Sequence, residues 1–142
     1  DGGPRTLASN FVVNGSGDVG GAQNLTLNGI VFIPAGTSLA KNGTGTLTLG
    51  TGFTDLAGAL TLNAGTLAFT GSKTIDPTGF FTQNGGTLSG GTLVNLGTFT
   101  YNGGTFSGQL VNQGNVNFNA DFTAANGITL AVSWSRSLRT RT

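Results

Sequence analysis

The chain repeats itself at a spacing too short for a folded domain but suited to one turn of a stacked solenoid. Asn84-Gly85-Gly86-Thr87-Leu88-Ser89-Gly90 recurs as Asn102-Gly103-Gly104-Thr105-Phe106-Ser107-Gly108. Leu93-Val94-Asn95-Leu96-Gly97 recurs as Leu110-Val111-Asn112-Gln113-Gly114, and Phe99 and Tyr101 recur at that same shift as Val116 and Phe118. Self-similarity at a fixed short period marks architectures in which each repeat buries its apolar side only against its neighbours. One period has room for three short strands. They are expected around Leu88 or Phe106, around Leu93-Val94 or Leu110-Val111, and at Phe99-Thr100-Tyr101 or Val116-Asn117-Phe118. The third alternates apolar and polar residues, as a strand with one buried face does. Gly-Gly pairs and Asn-x-Gly tripeptides separate the strands and read as corners, where Gly and Asn tolerate positive φ best.

Earlier segments follow the same pattern with looser spacing. Apolar pairs at alternate positions occur at Leu25/Leu27, Leu47/Leu49, Leu60/Leu62 and Leu67/Phe69. The corner Asn63-x-Gly65 is matched to Asn95-x-Gly97 and Asn112-x-Gly114. The expected fold is therefore all-β: a right-handed parallel β-helix (β-solenoid) over residues 1–130, with three short strands per rung. About seven rungs at ~4.8 Å each would stand roughly 35 Å tall. The rival is an antiparallel sandwich, in which the Asn-Gly dipeptides beginning at 14, 28, 42, 84, 102 and 126 would be hairpin turns. Close self-similarity favours the solenoid, because stacking places like residues above like. Residues 131–142 break the pattern with Trp134, Arg136, Arg139 and Arg141, and read as an atypical tail: a cap, a basic contact strand or foreign sequence.

Composition supports strands and narrows function. The chain holds 26 Gly and 23 Thr among 142 residues, with no Glu, His, Cys or Met. Helix formers with charge are nearly absent, whereas Thr, Val, Phe and Leu suit strands. Without Cys there is no disulfide or thiolate metal site. Before the tail, Arg5, Lys41 and Lys73 face Asp1, Asp18, Asp55, Asp76 and Asp121, so no basic surface for nucleic acid is expected. No apolar run approaches the ~20 residues of a membrane span. The start lacks Met and a leader-like segment, which predicts a mature product or part of a longer protein.

Residues 39–71 contain Lys41, then Gly43-Thr44-Gly45-Thr46-Leu47-Thr48-Leu49, a linker, and Asn63-Ala64-Gly65-Thr66-Leu67. In order and spacing this resembles the autotransporter-associated β-strand repeat, although the linker at 51–60 departs from the family's run. The resemblance covers about a quarter of the chain. It implies a passenger segment of a bacterial protein that is secreted or held at the cell surface. Its role would be structural or adhesive, with no catalytic residues and no cofactor. The partner would be a protein or glycan of unspecified identity, or another copy end to end. Alternatives are a self-assembling extracellular fibre subunit and a polysaccharide-acting β-helix enzyme.

For the enzyme reading, the one candidate pair is Asp55 and Asp76, about one rung apart, which could stack on one face and divide acid and base roles. Asp76 before Pro77 reads equally as a turn former. Gly15-Ser16-Gly17-Asp18-Val19-Gly20-Gly21 is read as a Gly-rich loop before the first rung, with too few acidic oxygens for calcium. Asn63, Gly65, Asn84, Asn95, Gly97, Asn102, Asn112 and Gly114 are the expected structural positions. Asn95 with Asn112, and Asn84 with Asn102, should form amide ladders between adjacent rungs. Phe69, Phe99, Phe106 and Phe118 are assigned to the core, and one ring of Phe80-Phe81 is expected outside. Flat ranks of threonine can bind ice, but Thr44/Thr46/Thr48 and Thr98/Thr100 are read as ordinary strand residues that do not repeat from rung to rung.

Overall fold

The computed structural model describes residues 3–123 and 127–130. These form a parallel β-solenoid with three strands per rung and no helix among the described residues. The first rung holds β1 (Arg5–Leu7), β2 (Phe11–Val12) and β3 (Ser16–Val19). The second holds β4 (Leu25–Leu27), β5 (Val31–Phe32) and β6 (Ser38–Lys41), and the third β7 (Thr46–Leu49), β8 (Asp55–Leu56) and β9 (Ala59–Leu62). The fourth is β10 (Thr66–Phe69), β11 (Ser72–Ile75) and β12 (Phe80–Gln83), and the fifth β13 (Thr87–Ser89), β14 (Thr92–Asn95) and β15 (Thr98–Tyr101). The sixth is β16 (Thr105–Phe106), β17 (Gln109–Asn112) and β18 (Asn115–Phe118). β19 (Ile128–Leu130) adds one strand of the next rung, so the described count is six complete rungs rather than about seven. The tail expected at 131–142 lies outside the described residues.

Strands of successive rungs pair in parallel and build three faces. The first is β1-β4-β7-β10-β13-β16 and the third is β3-β6-β9-β12-β15-β18. The second is split into β2-β5 below and β8-β11-β14-β17-β19 above, and the Val31 N–H bridges the split by donating to the Gly52 carbonyl at 3.2 Å. Asn42, Asn84 and Asn102 with their following glycines turn corners between parallel rungs, which overturns the sandwich. The segment at 15–21 is not a loop before the first rung: Ser16–Val19 is β3 and pairs with β6 in full register.

The alternation of the sequence sets the inside and the outside. On the first face Leu25, Leu47, Leu67, Leu88 and Phe106 form one inward column, and Leu27, Leu49 and Phe69 form another. Almost all of these are buried, and each stacks on a near copy of itself. Burying such a side chain contributes roughly 1.5–3 kcal/mol, and the column repeats that gain at every rung. Phe81 lies on Phe99 with ring centroids 5.5 Å apart and planes 9° from parallel. The aromatic run continues through Phe106 to Phe122, whose ring covers the sixth rung and meets Tyr101, Phe106 and Phe118 at 4.8, 5.2 and 4.5 Å. Phe118 itself is 41% exposed and not core, because among the described residues no strand of the third face lies above β18. Phe80 and Phe81 sit in a regular strand without a bulge. Phe81 points in, and Phe80 points out with half its surface exposed.

Candidate functional site

The polar side chains fall into columns as regular as the apolar ones. At the corner between the third and first faces, an exposed series runs Asp18, Asn42, Asn63, Asn84, Asn102, Asn119. The Nδ2 group of Asn63 donates to Oδ1 of Asn42 at 2.7 Å, Asn84 to Asn63 at 2.8 Å, Asn102 to Asn84 at 2.7 Å and Asn119 to Asn102 at 2.7 Å. Asn42 donates at 3.4 Å to the Asp18 carboxylate, which ends the series. Every amide therefore donates toward the N-terminal rung. Asp18, weighed above as a calcium ligand, is the terminal acceptor of this ladder.

Asn95 and Asn112 occupy a different corner, between the second and third faces, and point inward. They are register partners, and both are buried. Asn95 Nδ2 donates at 2.6 Å to Asn112 Oδ1 and at 2.6 Å to the Asn115 carbonyl, while Asn112 donates at 3.1 Å to the Gly114 carbonyl. The equation of Asn63-x-Gly65 with Asn95-x-Gly97 and Asn112-x-Gly114 is therefore wrong. The three tripeptides look alike but turn different corners, with Asn63 outside and Asn95 and Asn112 inside. The reason offered for Asn at corners also fails, since no non-Gly residue among those described has positive φ. Asn is there for its amide. Gly65 does take a positive φ of 68°, but Gly97 and Gly114 do not. Those two are needed for closeness instead: a Cβ on Gly97 would stand 2.2 Å from the Asp76 carbonyl oxygen, and one on Gly114 2.4 Å from that of Gly97.

A third polar column lies inside, at the last position of the third-face strands. Register stacks Lys41, Leu62, Gln83 and Tyr101 there. The polar members each reach a carbonyl in the following corner: Lys41 that of Gly43, Gln83 that of Gly86 and Tyr101 that of Gly104. Gln83 also donates to Thr105 O at 2.9 Å, yet its Oε1 and the Oδ1 of Asn95 are buried without a protein partner. Lys73, inside the second face, donates at 2.7 Å to the Gly50 carbonyl and lies 5.9 Å from the Phe53 ring centroid. Burial pushes the ammonium pKa of both Lys41 and Lys73 below the ordinary lysine value. Sequence reading missed these inward lysines. The only signal was that each falls on the apolar phase of its strand.

Asp55 and Asp76 lie on adjacent rungs but are not register partners. Asp55 stands under Thr74, its carboxylate taking the Thr54 hydroxyl at 2.8 Å, whereas Asp76 comes just after Ile75, past the end of β11. The Asp76 carbonyl instead receives the Gly79 N–H at 2.8 Å across the Pro77-Thr78 turn. Among the described residues no three His, Cys, Asp or Glu side chains gather as a metal site. No helix among them is long and apolar enough to cross a membrane. A shallow cleft of about 300 Å³ beside Phe80 is lined by Thr37, Ser38, Ala57, Ala59 and Thr78 and carries no charge.

Threonines do repeat from rung to rung, against expectation. On the first face Thr46, Thr66, Thr87 and Thr105 are consecutive register partners. A parallel rank holds Thr6, Thr26 and Thr48, continued by Ala68 and Ser89. Thr44, grouped with Thr46 and Thr48 in the sequence, lies before the strand and outside the rank. The steps from Thr46 to Thr66, Thr66 to Thr87 and Thr87 to Thr105 are unequal, and that wandering period hid the alignment from the sequence.

Comparison with protein-family models, with curated proteins and with solved structures returned no match.

Proposed function

We propose that this chain is a rigid, non-catalytic display rod, a structural or adhesive segment of a secreted or surface-held bacterial passenger protein. The carrying observation is the unbroken stack: two faces run through all six rungs as continuous sheets. Such a stack is stiff along its axis because every rung is hydrogen-bonded to the next, and its stability is a sum of rung and neighbour terms. The resemblance of residues 39–71 to the autotransporter-associated β-strand repeat supports a place in a passenger. The outward positions are mostly Thr, Ser, Asn and Ala, which fits a shaft in water. The test is display. The chain is fused upstream of an outer-membrane translocator barrel, expressed in a Gram-negative host, and probed on intact cells with protease and antibody. A protease-sensitive epitope outside the cell, with the cells adhering to glycan- or protein-coated surfaces better than barrel-only cells, supports the reading. Retention in the periplasm, or display without gain in adhesion, counts against passenger and adhesive roles respectively.

A further inference from the structure

The first face carries the larger array of one chemical group; the third face has a single rank of three threonines, Thr61, Thr82 and Thr100. On the first face seven threonines stand in two ranks, four in one and three in the other, overlapping at the third rung, where Thr46 and Thr48 flank Leu47. No charged residue stands in either rank, and nothing in them is larger than threonine from the third rung upward. Among the described residues none of these seven hydroxyls is used by the protein, whereas Thr37, Thr54, Thr78 and Thr92 elsewhere donate to neighbouring groups. Beneath the ranks the Leu columns stack in the same register.

We propose that this face binds ice. Parallel strands repeat every ~4.7–4.9 Å along the axis, and alternate residues of one strand are roughly 6.6–6.8 Å apart. Along each rank the methyl and hydroxyl groups recur at the first of these spacings, and at the third rung Thr46 and Thr48 add the second; both are close to the spacing of water oxygens on the prism face of hexagonal ice. Threonine suits the task because β-branching restricts χ1, so the methyl and hydroxyl are fixed before contact. A preordered array loses little conformational freedom on binding. A neutral face also avoids charged groups, whose strongly held hydration would not fit the lattice. The ranks, unlike the Asn ladder, have no internal hydrogen bonds to satisfy them, so first-layer water is their partner. This inference stands apart from the passenger reading and survives its failure.

The experiment measures inhibition of ice recrystallisation and incorporation into a slowly growing ice hemisphere for the purified chain. A double variant, Thr66→Tyr with Thr87→Tyr, places two rings in the longer rank. Thr82→Tyr is the control, on the third face of the fourth rung, and circular dichroism confirms that each variant is folded. The expected result is that the parent chain enters the ice, the double variant needs an order of magnitude more protein for the same inhibition, and Thr82→Tyr behaves as the parent. Exclusion of the parent chain from ice overturns the proposal, as does equal loss in the Thr82→Tyr control. If instead light scattering shows the parent chain to be oligomeric and the double variant monomeric, with no ice activity in either, the face packs against a second copy and the proposal is wrong.

Discussion

Asn84 both donates and accepts within the outer ladder, so Asn84→Ala breaks two side-chain bonds at once. Both are exposed, and a typical net hydrogen bond contributes about 0.5–1.5 kcal/mol, so a loss of about 1 kcal/mol is expected, read as a lower urea midpoint. Asn119→Ala, which breaks one bond at the ladder's end, should lose less. Lys73 gives a pH signature. Its pKa is lowered in the folded chain by burial, so at pH values between that lowered pKa and the ordinary lysine value the unfolded chain binds more protons. Stability should then rise as pH increases through this window, and the gain should be complete above the unfolded-state value of about 10.4. Lys73→Met removes the lysine's share of that rise. It leaves the Gly50 carbonyl with its bond from the Phe53 N–H at 3.2 Å, so no acceptor is orphaned. Urea titrations at neutral and alkaline pH on parent and variant measure both effects, and an unchanged slope in the variant would sink the assignment.

At the scale of strands and corners, Gly97 is the sharpest test of how tightly rungs nest. Gly97→Ala would drive a methyl into two carbonyl oxygens, of Asp76 and Gly79, both backbone. Since backbone cannot swing aside as a side chain does, the loss should exceed the ~0.5–3 kcal/mol of most substitutions. Gly71→Ala meets no atom nearby, but its φ of 75° still strains an L residue, so it should cost only a backbone penalty of about 1 kcal/mol. Thermal unfolding of the pair separates crowding from conformation. The strands themselves were legible in the sequence. Leu88 over Phe106 and Asn95 over Asn112 follow from the late repeat, and Leu25, Leu47 and Leu67 do stack. What was hidden is which corner each Asn-x-Gly turns, because the same tripeptide serves an amide pointing out at Asn63 and one pointing in at Asn95. The threonine ranks were hidden for a related reason: corners of different length keep the strands aligned while the sequence period wanders.

As a whole the molecule should behave as a stack of exchangeable layers. Asn84 lies one rung below Asn102, and the corner sequences after Gln83 and Tyr101 are alike, so deletion of 84–101 joins Gln83 to Asn102 and keeps the register. The shortened chain should fold with a smaller denaturant m-value, in proportion to the surface lost. Removing half that length should abolish cooperative unfolding, because it sets a first-face sequence on another face. The outer ladder also gives the rod a direction. Within a strand the backbone N–H groups alternate, some donating up the axis as Val31 does to Gly52, others down it as Asn63 does to Lys41, so their dipoles largely cancel. The ladder amides do not alternate. With the amino side of every amide toward the N-terminal rung, their moments add, each about that of a peptide unit at ~3.5 D. The positive pole falls where the Asp18 carboxylate stands, the same pairing of an acid with the positive end that occurs at the start of a helix. The shaft is thus a permanent electric dipole along its length, one that would turn to align in an applied field, and neighbouring shafts lying side by side would favour opposite senses.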